Sequence, residues 1–201
     1  MHRTVAAAPA GTAVLELGAG NLNHVPYEKQ VAVYDAVEPM TVLWKESASR
    51  SLIRRIYGDI SAIEPGRSYD RIISVAVLEH LTELPHIVAR CGMLLRPGGR
   101  FQAGIPSEGG FLWGLGWRTT TAVAYRLRHG EDYGRLMRHE HVNTAREVEA
   151  VLGYFFERVA LRRFPLPGLH WSFYTYFEAE HPRTGQCKEF AAGLGQRERP
   201  S

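Results

Sequence analysis

Three points along the chain carry residue types suited to holding a polar ligand. Gly18-Ala19-Gly20 follows one apolar run, Glu38 closes a second, and Asp59 follows a third. Glycines in a turn let backbone approach a ligand with no Cβ in the way. Glu38 can accept two hydrogen bonds from a ribose diol, and Asp59 can accept one from an adenine amino group. Hydrogen bonds to a charged acceptor are worth about 1.5–3 kcal/mol each. For proton transfer the candidates are His80, directly after a fourth apolar run, and the pair His139 and His141. In an extended segment His139 and His141 face the same side, so one can act as base or anchor an acceptor. Tyr133 and Trp113 are further candidates for acceptor binding. Two histidines without an accompanying acid set make no metal site, and none is expected.

The elements that must position these residues alternate. Ala13–Leu17 reads as a buried strand, 31–37 as a second, 54–57 as a short third and 70–77 as a fourth. Pro39 is placed to open a helix running to about Ser49. Another helix spans 84–95, stopped by Pro97-Gly98-Gly99, with a fifth strand from 99 to 105. Such alternation implies crossover connections and a parallel sheet with helices on both faces. In sheets of this kind ligands bind outside the carboxyl ends of the strands. Residues 107–143 break the rhythm and read as an insertion capping that edge. The run Thr144-Ala145-Arg146-Glu147 is a capping box opening a helix to about Gly153. Two strands, 155–164 and 171–178, follow. Pro165-Leu166-Pro167-Gly168 is too short for a helical crossover between them, so the last pair should be antiparallel. From about Gly185 the chain reads as a polar, frayed tail.

The 201 residues suit one domain. The 24 basic and 21 acidic residues leave a net charge of +3, little for a phosphate-tracking protein. The cluster Arg126, Arg128, Arg135 and Arg138 reads as a solvated face. Two distant cysteines, Cys91 and Cys187, give no disulfide framework. No apolar run is long enough to span a bilayer, and the apolar start is too short for a signal peptide. A cytoplasmic protein is the default expectation.

The runs Val14-Leu15-Glu16-Leu17-Gly18-Ala19-Gly20, Val37-Glu38-Pro39, Gly58-Asp59-Ile60, Tyr69-Asp70-Arg71-Ile72-Ile73-Ser74 with Leu78-Glu79-His80-Leu81, and Leu94-Leu95-Arg96-Pro97-Gly98-Gly99 come in a telling order. They resemble the successive motifs of the class I S-adenosylmethionine-dependent methyltransferases over roughly residues 12–106. The resemblance implies a Rossmann-like α/β fold: a seven-stranded, mostly parallel sheet with an antiparallel last strand. It also implies S-adenosylmethionine as cofactor and S-adenosylhomocysteine as product. By the same resemblance Glu16, Gly18 and Gly20 would form the wall beside the methionine part. Glu38, with Pro39 after it, would hold the ribose hydroxyls, and Asp59 with Ile60 would frame the adenine. Ala76 to Glu79 would lie beside the sulfonium. The chain departs from the pattern at Asn21-Leu22-Asn23-His24, where many members carry another glycine and a smooth helix. Asn21 is the candidate there for the cofactor carboxylate. Asn23 in place of the third glycine also disfavours a nicotinamide cofactor.

Absences narrow the acceptor. No Asn/Asp-Pro-Pro-Tyr follows the fourth strand, as in members acting on base amino groups, and no Pro-Cys pair serves covalent attack on a pyrimidine. Phe111 to Trp117 could form an apolar lid or the insertion's own small core. Asn23-His24-Val25-Pro26-Tyr27 and Glu140-His141-Val142-Asn143 are similar to runs in bacterial methyltransferases of surface-polysaccharide or secondary-metabolite pathways. The expectation is methyl transfer to oxygen or nitrogen of a small, sugar-like or natural-product-like acceptor. A nucleic-acid methyltransferase and a non-catalytic S-adenosylmethionine-binding regulatory or scaffold domain are the alternatives.

Overall fold

The computed structural model describes residues 1–6, 12–29, 31–107 and 142–197. The insertion's Trp113, Tyr133, His139 and His141, and its arginine cluster, lie outside the described residues.

Seven strands form one sheet in the order β3-β2-β1-β4-β5-β7-β6. They are β1 (Ala13–Leu17), β2 (Val33–Val37), β3 (Arg55–Tyr57), β4 (Tyr69–Val75), β5 (Leu95–Pro106), β6 (Phe156–Pro165) and β7 (Ser172–Pro182). The first five pair in parallel, whereas β7 runs antiparallel to both neighbours, β5 and β6. All five residues of β1 are buried, as a central strand covered on both faces requires.

Helices α3 (Leu84–Leu94), α4 (Ala145–Phe155) and α5 (Thr184–Arg197) pack on one face. There Val88, Cys91, Leu152, Phe155 and Cys187 join Leu15, Ile72, Phe101 and Phe177 in one apolar core. The capping box of α4 is formed: Glu147 N–H donates to Thr144 Oγ1, and Thr144 N–H donates to Glu147 Oε2.

The opposite face is built differently. Only 15 residues separate β1 from β2, and among the described ones a 3₁₀ turn, Val25–Tyr27, stands in place of a crossover helix, while α1 (His2–Val5) packs nearby. The layer rests on Arg71, 2% exposed. Its guanidinium donates to both oxygens of Glu28 (2.8 and 3.1 Å), to Gln102 Oε1 (2.8 Å) and to the Val5 carbonyl (2.6 Å). His24 Nε2 lies 3.1 Å from Glu28 Oε1. A buried ion is tolerated when its donors and acceptors are met in this way.

Three expectations are corrected. The helix opened by Pro39 is short: α2 covers only Thr41–Trp44. Ser47 diverts the chain, its hydroxyl donating to the Asn21 carbonyl (2.8 Å) and accepting from Ser49 N–H (3.3 Å); such side-chain bonds compete with a helix. Pro97-Gly98-Gly99 does not stop α3, because β5 already begins at Leu95 and the triplet is a bulge against β4. Gly98 has φ +76°, and a Cβ at Gly99 would lie 3.0 Å from the Asp70 carbonyl oxygen. The stretch after Gly185, expected to fray, is helical through Arg197, because Cys187 and Phe190 bury against the core beside α3.

Candidate active site

The carboxyl ends of β1 to β4 open onto a cleft of about 420 Å³, within the range of small-molecule sites. Leu17 and Gly18 bring β1 to it, Val37 and Glu38 bring β2, and Gly58, Asp59 and Ile60 follow β3; Val77, His80 and Leu81 follow β4.

The turn after β1 requires glycine at its first position. Gly18 has φ +63°, and a Cβ there would meet Val77 Cγ2 at 2.4 Å. Its N–H donates to the Val37 carbonyl (2.8 Å), folding the turn back over β2. Gly20, at φ +51°, donates its N–H to Glu38 Oε2 (2.8 Å), and Met40 N–H donates to Oε1 (2.9 Å). Two backbone donors thus fix the Glu38 carboxylate, which is 7% exposed. A carboxylate has about four acceptor sites, so capacity remains for a diol.

Asp59 is exposed at the lip of the cleft and caps a 3₁₀ turn, Ile60–Ala62. The Ser61 hydroxyl and N–H both donate to its Oδ1, and these bonds hold its carboxyl below the usual range. Around the two acids the walls are apolar, with Met40, Leu43 and Ile87 among the lining residues. A cleft of apolar side chains lined also by one buried and one exposed acid has the chemistry to hold a nucleoside.

His80 lies on the cleft wall, its side chain 38% exposed. Glu79 beside it is 2% exposed, and neither carboxylate oxygen has a hydrogen-bond partner among the described residues. Burial pushes its carboxyl up to about 7. Ala76, directly after β4, has φ +56° and is held by its N–H to the Gly104 carbonyl (2.7 Å). This left-handed conformation is uncommon for a side-chain-bearing residue and concentrates at functional sites.

Of the sequence candidates, Gly18, Glu38, Pro39, Asp59, Ile60 and His80 line the cleft. Gly20 reaches it through its bond to Glu38. Glu16 does not line it: its side chain is 2% exposed and accepts from the Tyr34 hydroxyl (2.7 Å). Burial first, then the nearby Glu28 and Glu38 charges, push its carboxyl up to about 8. Asn21 is exposed with its carbonyl bonded to Ser47, and Ala76 and Glu79 are not among the lining residues. Sequence reasoning placed Val77 within the run 76–79 but missed Met40, Leu43, Leu81 and Ile87, for which only their apolar character beside the motifs was a signal. It also missed Asn143, last residue of Glu140-His141-Val142-Asn143. No cluster of three metal-ligating side chains occurs among the described residues, and no helix there is long and apolar enough to cross a membrane.

Residues 15–103 match a family model described as a methyltransferase domain. No curated protein matches the chain. Among solved structures, an S-adenosylmethionine-dependent methyltransferase from Thermotoga maritima is similar at 13% identity and a TM-score of 0.62, over 89% of this chain and 86% of that one. The N-methyltransferase NodS from Bradyrhizobium japonicum WM9, in complex with S-adenosyl-L-homocysteine, gives 14% identity and a TM-score of 0.58, over 86% and 80%. The CurJ carbon methyltransferase gives 20% and 0.59, covering 89% of this chain and 53% of that one, so this chain spans about half its length. These likenesses establish a common fold. The methyltransferase-domain match lies on the very strands that carry the cleft, and the sheet order with its antiparallel β7 is that of the class I S-adenosylmethionine-dependent methyltransferase fold.

Proposed function

We propose that the chain is a methyltransferase that moves the methyl group of S-adenosylmethionine to oxygen or nitrogen of a small, sugar-like or natural-product-like acceptor, acting in the cytoplasm. The observation that carries this reading is the cleft itself, which joins a backbone-fixed Glu38 to a half-exposed His80 across an apolar slot. Bound S-adenosylmethionine supplies a methyl already activated on a sulfonium. What remains for the protein is positioning, which can supply much of the catalysis of such a displacement.

In this reading Glu38 holds the ribose hydroxyls, Asp59 and Ile60 frame the adenine, and Gly18 and Gly20 keep the backbone clear. Asn21 is the contact proposed for the methionine carboxylate, and Ala76 to Glu79 border the reacting carbon. His80 takes the acceptor proton as methyl transfer proceeds. His139 and His141 are alternative bases, with Tyr133 and Trp113 on the acceptor side.

The test incubates the chain with methyl-labelled donor and a panel of sugars, nucleotide sugars, phenols and amines, with RNA and DNA as comparison. A labelled small product supports the reading. Donor binding without any labelled product supports a non-catalytic binding domain, and a labelled nucleic acid supports the other alternative. If His80 is the base, His80→Ala should lower turnover about 10²–10⁴-fold with donor affinity kept; a wild-type rate removes His80 from the chemistry.

A further inference from the structure

The turn that carries Glu79 and His80 is gripped from outside by one residue pair. Leu78–His80 is a single 3₁₀ turn whose N-cap, Val77, makes no side-chain capping bond. Asn143 lies 64 positions beyond Glu79 in sequence, yet its side-chain amide donates to the carbonyls at both ends of that turn, Leu78 (2.9 Å) and Leu81 (2.6 Å). The backbone N–H groups of Val142 and Asn143 both donate to the carbonyl between them, Glu79 (2.8 and 3.1 Å). Four donors from two successive residues therefore meet three carbonyls of one four-residue turn. An amide nitrogen carries two N–H donors, and here both are spent on the turn.

The grip has a consequence for the side chains. With the backbone held at Leu78, Glu79 and Leu81, His80 is turned to the cleft and the Glu79 carboxylate is turned inward. The His80 ring stands beside that carboxylate, with Nε2 4.0 Å from Oε1. A buried acid with no hydrogen bond among the described residues is costly to keep, and a place behind an imidazole on the cleft wall gives it a role.

We propose that Asn143 is a positioning residue for methyl transfer, clamping the Leu78–Leu81 turn so that Glu79 backs the His80 ring from inside the protein. The proposal rests on the reading of His80 as the base, but its test does not depend on turnover.

The chain is labelled with ¹³C,¹⁵N-histidine, and the His80 ring signal is assigned by its loss in His80→Ala. Asn143→Ala should displace the His80 signal while leaving that of His24, on the opposite face of the sheet, in place. Glu79→Gln should displace it too, and Asn143→Ala should displace it less in the Glu79→Gln background than in the wild type, because the two then act through one contact. An unmoved His80 signal in a folded Asn143→Ala variant overturns the proposal. So does joint movement of the His80 and His24 signals, which marks general loosening. Should Asn143→Ala not fold, Asn143→Asp has nearly the same volume but cannot donate to the two carbonyls; it should move the His80 signal, and an unmoved signal overturns the clamp. A clamp that passes while labelled-methyl transfer survives His80→Ala keeps the positioning role and removes the base.

Discussion

Glu38 is the residue on which donor binding should depend most, and its effect can be worked from its bonds. Gly20 and Met40 N–H groups occupy one site on each carboxylate oxygen, leaving about two of four for a ribose diol. At about 1.5–3 kcal/mol for each bond to a charged acceptor, two bonds amount to about 3–6 kcal/mol, or roughly 10²–10⁴ in affinity. Glu38→Ala should therefore weaken S-adenosylhomocysteine binding by that factor. Glu38→Gln keeps one acceptor oxygen and should lose one bond, roughly 10–10². Titration calorimetry with S-adenosylhomocysteine and with its 2′,3′-dideoxyribose analogue separates two causes of loss. If Glu38 acts on the diol, Glu38→Ala costs little with the analogue. An equal loss with both ligands would mean that the substitution acts by releasing the Gly20 turn, and unchanged affinity would remove Glu38 from the site.

Two further outcomes follow from the burial around the cleft. Glu16 has a folded-state pKa of about 8 against about 4.3 when unfolded, so between these values the folded chain binds the extra proton and stability falls as pH rises. The contribution is complete below about pH 4.3 and lost through pH 8; Glu79, raised to about 7, acts in the same direction. Glu16→Gln keeps an acceptor for Tyr34 without a charge, so its melting temperature should fall less than wild type between pH 6 and pH 9 (pH values chosen to straddle roughly the shifted range); parallel curves would contradict the assignment. Gly18→Ala adds left-handed strain of about 1–2 kcal/mol and a Cβ 2.4 Å from Val77 Cγ2, for a total loss of about 2–5 kcal/mol. Val77→Ala in the same chain should restore the steric part in denaturant unfolding, and no recovery would show that strain alone is responsible.

Much of this fold was legible because its signals are local. Apolar runs ending in glycine or an acid marked β1 to β4 within a few residues, Thr144 and Glu147 marked the start of α4, and a six-residue link forced β6 and β7 to be antiparallel. What escaped depends on tertiary partners. Ser47 shortens α2 by reaching Asn21, a contact with no sequence signature. Cys187 and Phe190 order α5 only because α3 offers a core for them. The β1–β2 link reads as a spoiled helix until Arg71 is seen binding Glu28 beneath it. In the site the same division holds: Gly18, Glu38 and Asp59 sit in motifs at strand ends, whereas the burial of Glu16 follows from its neighbour Tyr34. Asn143 reaches the β4 turn across the whole insertion, beyond what spacing can reveal.

The central claim is that adenosine lies across the ends of β1, β2 and β3. A crystal structure of the chain with S-adenosylhomocysteine tests it directly. The account predicts both ribose hydroxyls within hydrogen-bonding distance of the Glu38 carboxylate and the adenine between Asp59 and the apolar wall. Product bound elsewhere, or with its ribose away from Glu38, would contradict it.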